Sequence, residues 1–211
     1  MIERILIKRL VPVGVIHRVE DAIPLVEALL AGGMDILEVT LRTPEAETCI
    51  RDIRRKFPEM LVGAGTILDP AQIGRCLDAG AQFGVSPGLN EAVVRQARER
   101  ALPFIPGVMT PSEVERALAL GCPLMKFFPA EAAGGIKMLQ ALAGPYAHAG
   151  VRFIPLGGIH AGNAGDYAAL PMVAAIGGSW MLERKLVADK NWARITQLVR
   201  EALALVAQRP E

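Results

Sequence analysis

Little in this chain is aromatic, and it carries almost no net charge. Trp, Tyr and Phe make up 5% of the residues although 52% are hydrophobic, so the core must be built from aliphatic side chains. Lys and Arg number 23 against 22 Asp and Glu, without the basic excess that a nucleic-acid or anionic-membrane partner favours. Cysteine is scarce: Cys49, Cys76 and Cys122 form no CxxC and share no metal-type spacing. That excludes a disulfide framework and predicts reduced thiols, packed as small hydrophobes, in a cytoplasmic protein. His17, His148 and His160 are not spaced as ligands, and there is no HExxH or carboxylate cluster. The expected chemistry therefore uses no metal and no cofactor. No uncharged apolar run approaches the length of a membrane span. The first nine residues carry charges at Glu3, Arg4, Lys8 and Arg9, which break the apolar centre a signal peptide needs. Low-complexity segments are absent, and 211 residues suit one large domain, expected over 1–211.

What is present is alternation. After a short helix over about residues 2–9, eight apolar strand-like runs are expected. They cover 12–16, 36–41, 61–66, 83–88, 104–108, the run holding Lys126, 152–158 and 173–178. Helical patterns lie between them. The segment 20–31 places Ile23, Val26, Leu29 and Leu30 at helical spacing. Thr43-Pro44, Asp69-Pro70 and Thr110-Pro111 read as N-cap plus N1 proline, the first opening a helix to Phe57. Asn90 is expected to cap a helix through Arg100, Asn163 a short one through Leu170, and Asn191 opens the terminal helix to Val206. Gly32, Gly80 and Gly121 occupy C-terminal stop positions. Eight strand–helix units with continuous apolar strands predict an α/β fold, a parallel sheet covered by helices and closed as a (β/α)8 barrel. An open doubly wound sheet is the alternative, and no GxGxxG follows the first strand to support it.

Lys126 lies inside the apolar run Leu124-Met125-Lys126-Phe127-Phe128. An ammonium removed from water is costly and tends to shed its proton, and an uncharged amine in a dry pocket attacks ketones. A structural ion pair or a lysine that reaches to solvent at the strand end would satisfy the same pattern. In such barrels reacting groups stand at the C-terminal ends of strands, and residues two apart share a face. Glu38, Thr40 and Arg42 form one polar face of the second strand, opposite Leu37, Val39 and Leu41. An acid inside a barrel either pairs with Arg42 or Lys126 or moves protons. Thr66 ends the third strand, as a turn residue or a ligand contact. Gly157-Gly158 and Gly177-Gly178-Ser179 end the last two strands, where backbone N–H groups commonly cradle a phosphate. His160 follows the first pair and reads as a solvated loop residue, and Trp180 and Trp192 as packing residues.

Four segments carry a resemblance: Gly32-Gly33-Met34-Asp35-Ile36-Leu37-Glu38-Val39-Thr40-Leu41-Arg42-Thr43, Val62-Gly63-Ala64-Gly65-Thr66, Ser86-Pro87-Gly88 and Lys126-Phe127-Phe128-Pro129-Ala130-Glu131. In order and spacing the chain, from about Pro12 to the final helix, resembles the class I 2-keto-3-deoxy-6-phosphogluconate (KDPG) aldolase family, which includes 4-hydroxy-2-oxoglutarate (KHG) aldolases. The resemblance implies a TIM barrel, a homotrimer, no metal, and cleavage of a phosphorylated 2-keto sugar acid to pyruvate and glyceraldehyde 3-phosphate. It implies Lys126 as the Schiff-base lysine and Glu38 as the general acid/base. Arg42 and Thr66 would hold the pyruvate carboxylate, Pro87 and Phe128 would line the pocket, and Gly157, Gly158 and Ser179 would bind phosphate. Leu156 departs from the threonine usual in the phosphogluconate enzymes, and a galactonate-specific relative carries an aliphatic residue there. The loop over 146–150 looks slightly longer than usual, which reads as surface variation. The same lysine would also serve a 2-keto-3-deoxy-6-phosphogalactonate or 4-hydroxy-2-oxoglutarate aldolase or an oxaloacetate decarboxylase. A phosphosugar isomerase would have little use for the amine, and a non-catalytic phosphometabolite-binding barrel would need neither Lys126 nor Glu38.

Overall fold

The computed structural model describes residues 2–207; residue 1 and residues 208–211, the ends of the expected 1–211 unit, lie outside the described residues. Strands and helices alternate along the chain. The strands are β1 (Leu10–Gly14), β2 (Ile36–Thr40), β3 (Leu61–Gly65), β4 (Phe83–Val85), β5 (Phe104–Ile105), β6 (Gly107–Val108), β7 (Leu124–Phe127), β8 (Arg152–Pro155) and β9 (Ile176–Gly178). All pair in parallel. They form a six-stranded ladder, β5-β4-β3-β2-β1-β9, and a three-stranded one, β6-β7-β8. Two seams join the ladders. Only Pro106 separates β5 from β6, and its carbonyl accepts from the Lys126 N–H at 2.9 Å. On the other side Phe153 donates to the Met172 carbonyl and accepts from the Ala174 N–H, each at 2.8 Å. The result is a curled parallel sheet with helices outside. Within the described residues its regular pairing is two ladders, not the single ring of eight that the alternation predicts. The fifth expected strand is cut in two because a proline has no N–H to give a ladder.

The helix starts follow local chemistry where the caps are complete. Asp69 and Thr110 each form a capping box, with Gln72 and Glu113, at the heads of α4 (Pro70–Asp78) and α6 (Pro111–Ala119). Asn90 accepts from Ala92 and Val93 N–H at the head of α5 (Glu91–Glu99). Two cap expectations are corrected. Thr43 caps nothing: its hydroxyl donates to the Ile16 carbonyl at 2.7 Å, and α3 begins later, at Ala46–Lys56. Asn163 spends its side chain on His160 N–H and the Gly158 carbonyl instead of capping α8 (Ala164–Ala168). Gly32 is the C-cap of α2 (Val19–Ala31) as expected, although the left-handed residue is the next one, Gly33, φ 90°; a Cβ on Gly32 would meet Val199 at 2.6 Å. The first strand begins two residues earlier than expected, and of 173–178 only Ile176–Gly178 joins a ladder, Val173 making an isolated bridge. A helix α7 (Gly135–Ala143) lies where none was expected, because Gly134, φ 113°, offers no side chain to cap it. The short 3-10 turn Gly144–Ala149 occupies the 146–150 loop. α1 (Ile2–Lys8) and the terminal helix Trp192–Ala207 match the expected first and last helices. Among the described residues no helix is long and apolar enough to cross a membrane.

The core is aliphatic, as 5% aromatics require, with Phe83, Phe127, Phe153 and Tyr167 as its largest members. The buried polar or charged residues described are Asp21, Glu38, Thr40, Ser86 and Lys126. Asp21 is answered by the Arg18 guanidinium at 2.8 and 2.9 Å. Glu38 and Lys126 answer each other. Cys49 and Cys76 are free and buried, and burial pushes their thiols up to about 11 and about 12, so neither is poised as a thiolate.

Candidate active site

Lys126 stands on β7 in the three-stranded ladder and Glu38 on β2 in the six-stranded one. The curl of the sheet carries both side chains inward, where they are 6% and 3% exposed and Nζ lies 3.6 Å from Oε1. That separation exceeds a hydrogen bond but is within reach of one water. Glu38 Oε1 has no hydrogen-bond partner among the described residues. A buried carboxylate oxygen without a donor costs free energy and, in a native structure, marks a functional or hydrated position. Gly65 on the next strand makes the placement possible: a Cβ there would stand 2.1 Å from Oε1. The Phe128 ring sits 5.2 Å from Nζ, as a cation or an iminium would favour.

Above this pair opens a cavity of about 300 Å³. Glu38, Arg42, Thr66, Pro87, Lys126, Phe128, Leu156, Gly157, Gly158, Gly177, Gly178 and Ser179 all line it. The residues to which the resemblance gave a site role are therefore gathered around a single space. Val13, Thr40 and Ile159 line it as well and were not assigned. Thr40 carried a signal, since it lies between Glu38 and Arg42 on the polar face of β2. Val13 and Ile159 are apolar residues among many and carried none. A second groove of about 500 Å³, lined by residues such as Leu6, Phe104, Leu120 and Leu124, holds none of the expected site residues.

Each wall has a distinct character. On one side the Arg42 Nε donates to the Thr40 hydroxyl at 3.3 Å. Its terminal nitrogens make no hydrogen bond among the described residues and can take a carboxylate in a two-point grip. Thr66 follows β3 with φ 60°. That left-handed conformation is unfavourable for a β-branched residue, and such strain clusters at ligand sites. Pro87 is seated by the Ser86 hydroxyl, which donates to the Gly88 carbonyl at 2.7 Å, and by Gly107, where a Cβ would meet the Pro87 carbonyl at 2.1 Å. On the opposite side Gly157 and Gly158 have φ of 102° and 79°. The N–H groups of Gly157, Gly158, Ile159 and Ser179 have no partner among the described residues, so this wall offers donors to an anion. Gly178 is glycine because Trp180 packs where its Cβ would be. Between the two walls Leu156 covers Gly177, its Cδ1 2.6 Å from the Cβ position there. His160 is exposed, accepts from the Gly162 N–H at Nδ1 and is absent from the cavity lining. His17 and His148 are also exposed or away from it. The arrangement joins an amine and a carboxylate at the floor, a cationic grip on one side and an N–H cup on the other.

Residues 1–198 match the family model for KDPG and KHG aldolase. The chain is 49% identical over 193 residues to the KHG/KDPG aldolase of Escherichia coli (strain K12), covering 92% of this chain and 90% of that protein. Among solved structures, it is similar to the KDPG aldolase of Legionella pneumophila with pyruvate captured as a covalent carbinolamine intermediate. The TM-score there is 0.89 at 44% identity, over 92% of this chain and 93% of that one. The KDPG aldolase of Zymomonas mobilis ZM4 with 3-phosphoglycerate superposes with a TM-score of 0.90 at 38% identity, covering 99% and 96%.

Proposed function

This chain belongs to the KDPG and KHG aldolase family, and from that premise we propose that it is a class I aldolase cleaving 2-keto-3-deoxy-6-phosphogluconate to pyruvate and glyceraldehyde 3-phosphate. One observation carries the reading: a buried amine and a buried carboxylate 3.6 Å apart, with Oε1 in ion-pair range but accepting no hydrogen bond among the described residues, at the floor of a cavity with a cationic and an N–H-rich wall. The amine of Lys126 adds to the C2 carbonyl to give a carbinolamine. Glu38, directly or through one water, delivers the proton with which the C2 oxygen leaves as water, and an iminium remains. Glu38, now a carboxylate, takes the C4 hydroxyl proton. The C3–C4 bond breaks, its electrons enter the iminium to form an enamine, and the aldehyde departs. Glu38 returns the proton to C3, which regenerates an iminium, and water hydrolyses it to pyruvate, the free Lys126 amine and a proton that Glu38 takes back for the next turnover. Proton transfer from a positioned group typically contributes ~10²–10⁴-fold. The iminium itself is the electron sink, so the route calls on no metal or cofactor.

Arg42 and Thr66 hold the pyruvate carboxylate, Pro87 and Phe128 bound the reacting carbons, and the amides around Gly157, Gly158, Gly177, Gly178 and Ser179 receive the phosphate. The two ladders are read as one (β/α)8 barrel and a single domain over 1–211. A homotrimer in the cytoplasm is the expected assembly and place. A second reading keeps the same lysine and changes the substrate. Leu156 lines the cavity as an aliphatic residue where the phosphogluconate enzymes usually carry a threonine, which supports the galactonate epimer; 4-hydroxy-2-oxoglutarate would be cleaved through the same imine. Decarboxylation of oxaloacetate would pass through the same imine.

Borohydride reduction in the presence of pyruvate tests the chemistry. The expected result is a lactyl-sized mass increase on the peptide bearing Lys126, lost in Lys126→Ala. Label on another peptide, or none, rejects the assignment.

A further inference from the structure

The glycine loop after β8 is held from behind. Ala130 and Glu131 N–H groups donate to the carbonyls of Leu156 and Gly157 at 2.8 and 3.0 Å, and Asn163 Nδ2 donates to the Gly158 carbonyl at 3.2 Å. The acceptors of the loop are thus spent on the protein while its N–H groups are not. The Glu131 side chain stands against the loop itself: a Cβ on Gly158 would lie 2.6 Å from Glu131 Cβ and 2.7 Å from its Cγ. Glu131 is otherwise exposed, and an exposed glutamate keeps several rotamers. Tyr167 removes that freedom. It is fully buried in α8 and its hydroxyl donates to Glu131 Oε1 at 2.5 Å. Gly135 leaves room for the pair, since a Cβ there would stand 3.2 Å from that oxygen and 3.4 Å from the hydroxyl. Burial, and then the bond to Glu131, push the Tyr167 hydroxyl's pKa up, so it stays a donor at working pH. Neither residue lines the cavity.

We propose that Glu131, clamped by Tyr167, is a positioning residue that shapes the Gly157–Gly158 loop for the substrate's phosphate and so sets the preference for phosphorylated over phosphate-free 2-keto acids. This rests on the reading that the loop receives the phosphate. The clamp acts on the loop and leaves Lys126 and Glu38 untouched, so its loss separates binding from chemistry.

The test compares steady-state kinetics of the wild-type protein, Tyr167→Phe, Glu131→Ala and Glu131→Gln on 2-keto-3-deoxy-6-phosphogluconate and on 4-hydroxy-2-oxoglutarate, with melting temperatures alongside. Tyr167→Phe and Glu131→Ala are expected to raise KM for the phosphorylated substrate roughly tenfold, the scale of one strong hydrogen bond. Its kcat, and kcat/KM for the phosphate-free substrate, should stay within about twofold, since no group reaching the reacting atoms has changed. Glu131→Gln, whose amide oxygen still accepts from Tyr167, should keep a near-wild-type KM. An equal loss on both substrates, no change on either, or a loss in Glu131→Gln as large as in Glu131→Ala overturns the proposal. A wild-type protein indifferent to the phosphate overturns it by removing the phosphate reading itself, a result distinct from variants that leave an existing preference unchanged.

Discussion

Gly65→Ala places one methyl group against the Glu38 side chain, which supplies its three nearest atoms. The Cβ position lies 2.1 Å from Oε1 and 2.7 Å from both Cδ and Cγ, where real contacts stay beyond 3.0 Å. Oε1 must therefore retreat by about 0.9 Å, from 2.1 to 3.0 Å, or the strand must shift. The backbone itself accepts alanine, since Gly65 is not at positive φ, and alanine in a strand gains roughly 0.5–1 kcal/mol over glycine. Overpacking costs roughly 1–3 kcal/mol, so the net change is at most a few kcal/mol. At about 2–4 °C per kcal/mol for a chain of this size, the melting temperature should fall by no more than about 10 °C. Activity should fall much further. A displacement near 1 Å in a positioned proton-transfer group costs on the order of 10²-fold, against a full contribution of ~10²–10⁴ from such a group. The measurement is pyruvate release, coupled to NADH oxidation by lactate dehydrogenase, with thermal melts in parallel. Extended borohydride trapping should still label Lys126, because the lysine has not moved. A folded Gly65→Ala protein with kcat within about twofold of wild type would show that the Glu38 carboxylate does not act from this place.

Two other changes probe specificity and folding separately. Leu156→Thr replaces the side chain over Gly177 with a hydroxyl able to meet the substrate's own, so it should shift the ratio of kcat/KM between gluconate and galactonate epimers by roughly two- to tenfold, the worth of one hydrogen bond; an unchanged ratio refutes the role given to Leu156. Glu113→Ala should remove the capping box of α6 at a cost of about 1 kcal/mol at neutral pH. Partial burial alone would push the Glu113 carboxyl up, but bonds from the Met109 N–H and from the Thr110 hydroxyl and N–H hold it below its ordinary value. A carboxyl depressed in the folded state stabilises fully above its unfolded pKa, about 4.3, and loses that contribution as pH falls through the folded one. Melts of the two proteins should therefore converge in acid, and a difference independent of pH would refute the assignment.

Some of this architecture is written in short stretches of chain. Asp69, Asn90 and Thr110 could be read as helix starts because a cap is a contact within three residues. The Thr43-Pro44 signal has the same form and means something else, because the Thr43 hydroxyl finds a better acceptor in the distant Ile16 carbonyl. α7 escaped notice because it begins on glycines and so lacks any capping side chain. Residues with unusual chemistry for their surroundings, Lys126 in an apolar strand and Glu38 opposite Leu37 and Val39, stood out as site candidates. Val13 and Ile159 did not, since an apolar wall residue looks like any core residue until the cavity beside it is known.

By itself the sequence determined the alternation of strand and helix, the polar face of β2 and the presence of one lysine among apolar neighbours, because each follows from the spacing of residues a few positions apart. Tertiary structure alone decided that this lysine, in the three-stranded ladder, should face that glutamate, in the six-stranded one, at 3.6 Å with an oxygen that accepts no hydrogen bond among the described residues. The distance depends on the accumulated curl of many parallel pairings and on the absence of a side chain at Gly65, and no local pattern in the chain encodes that sum.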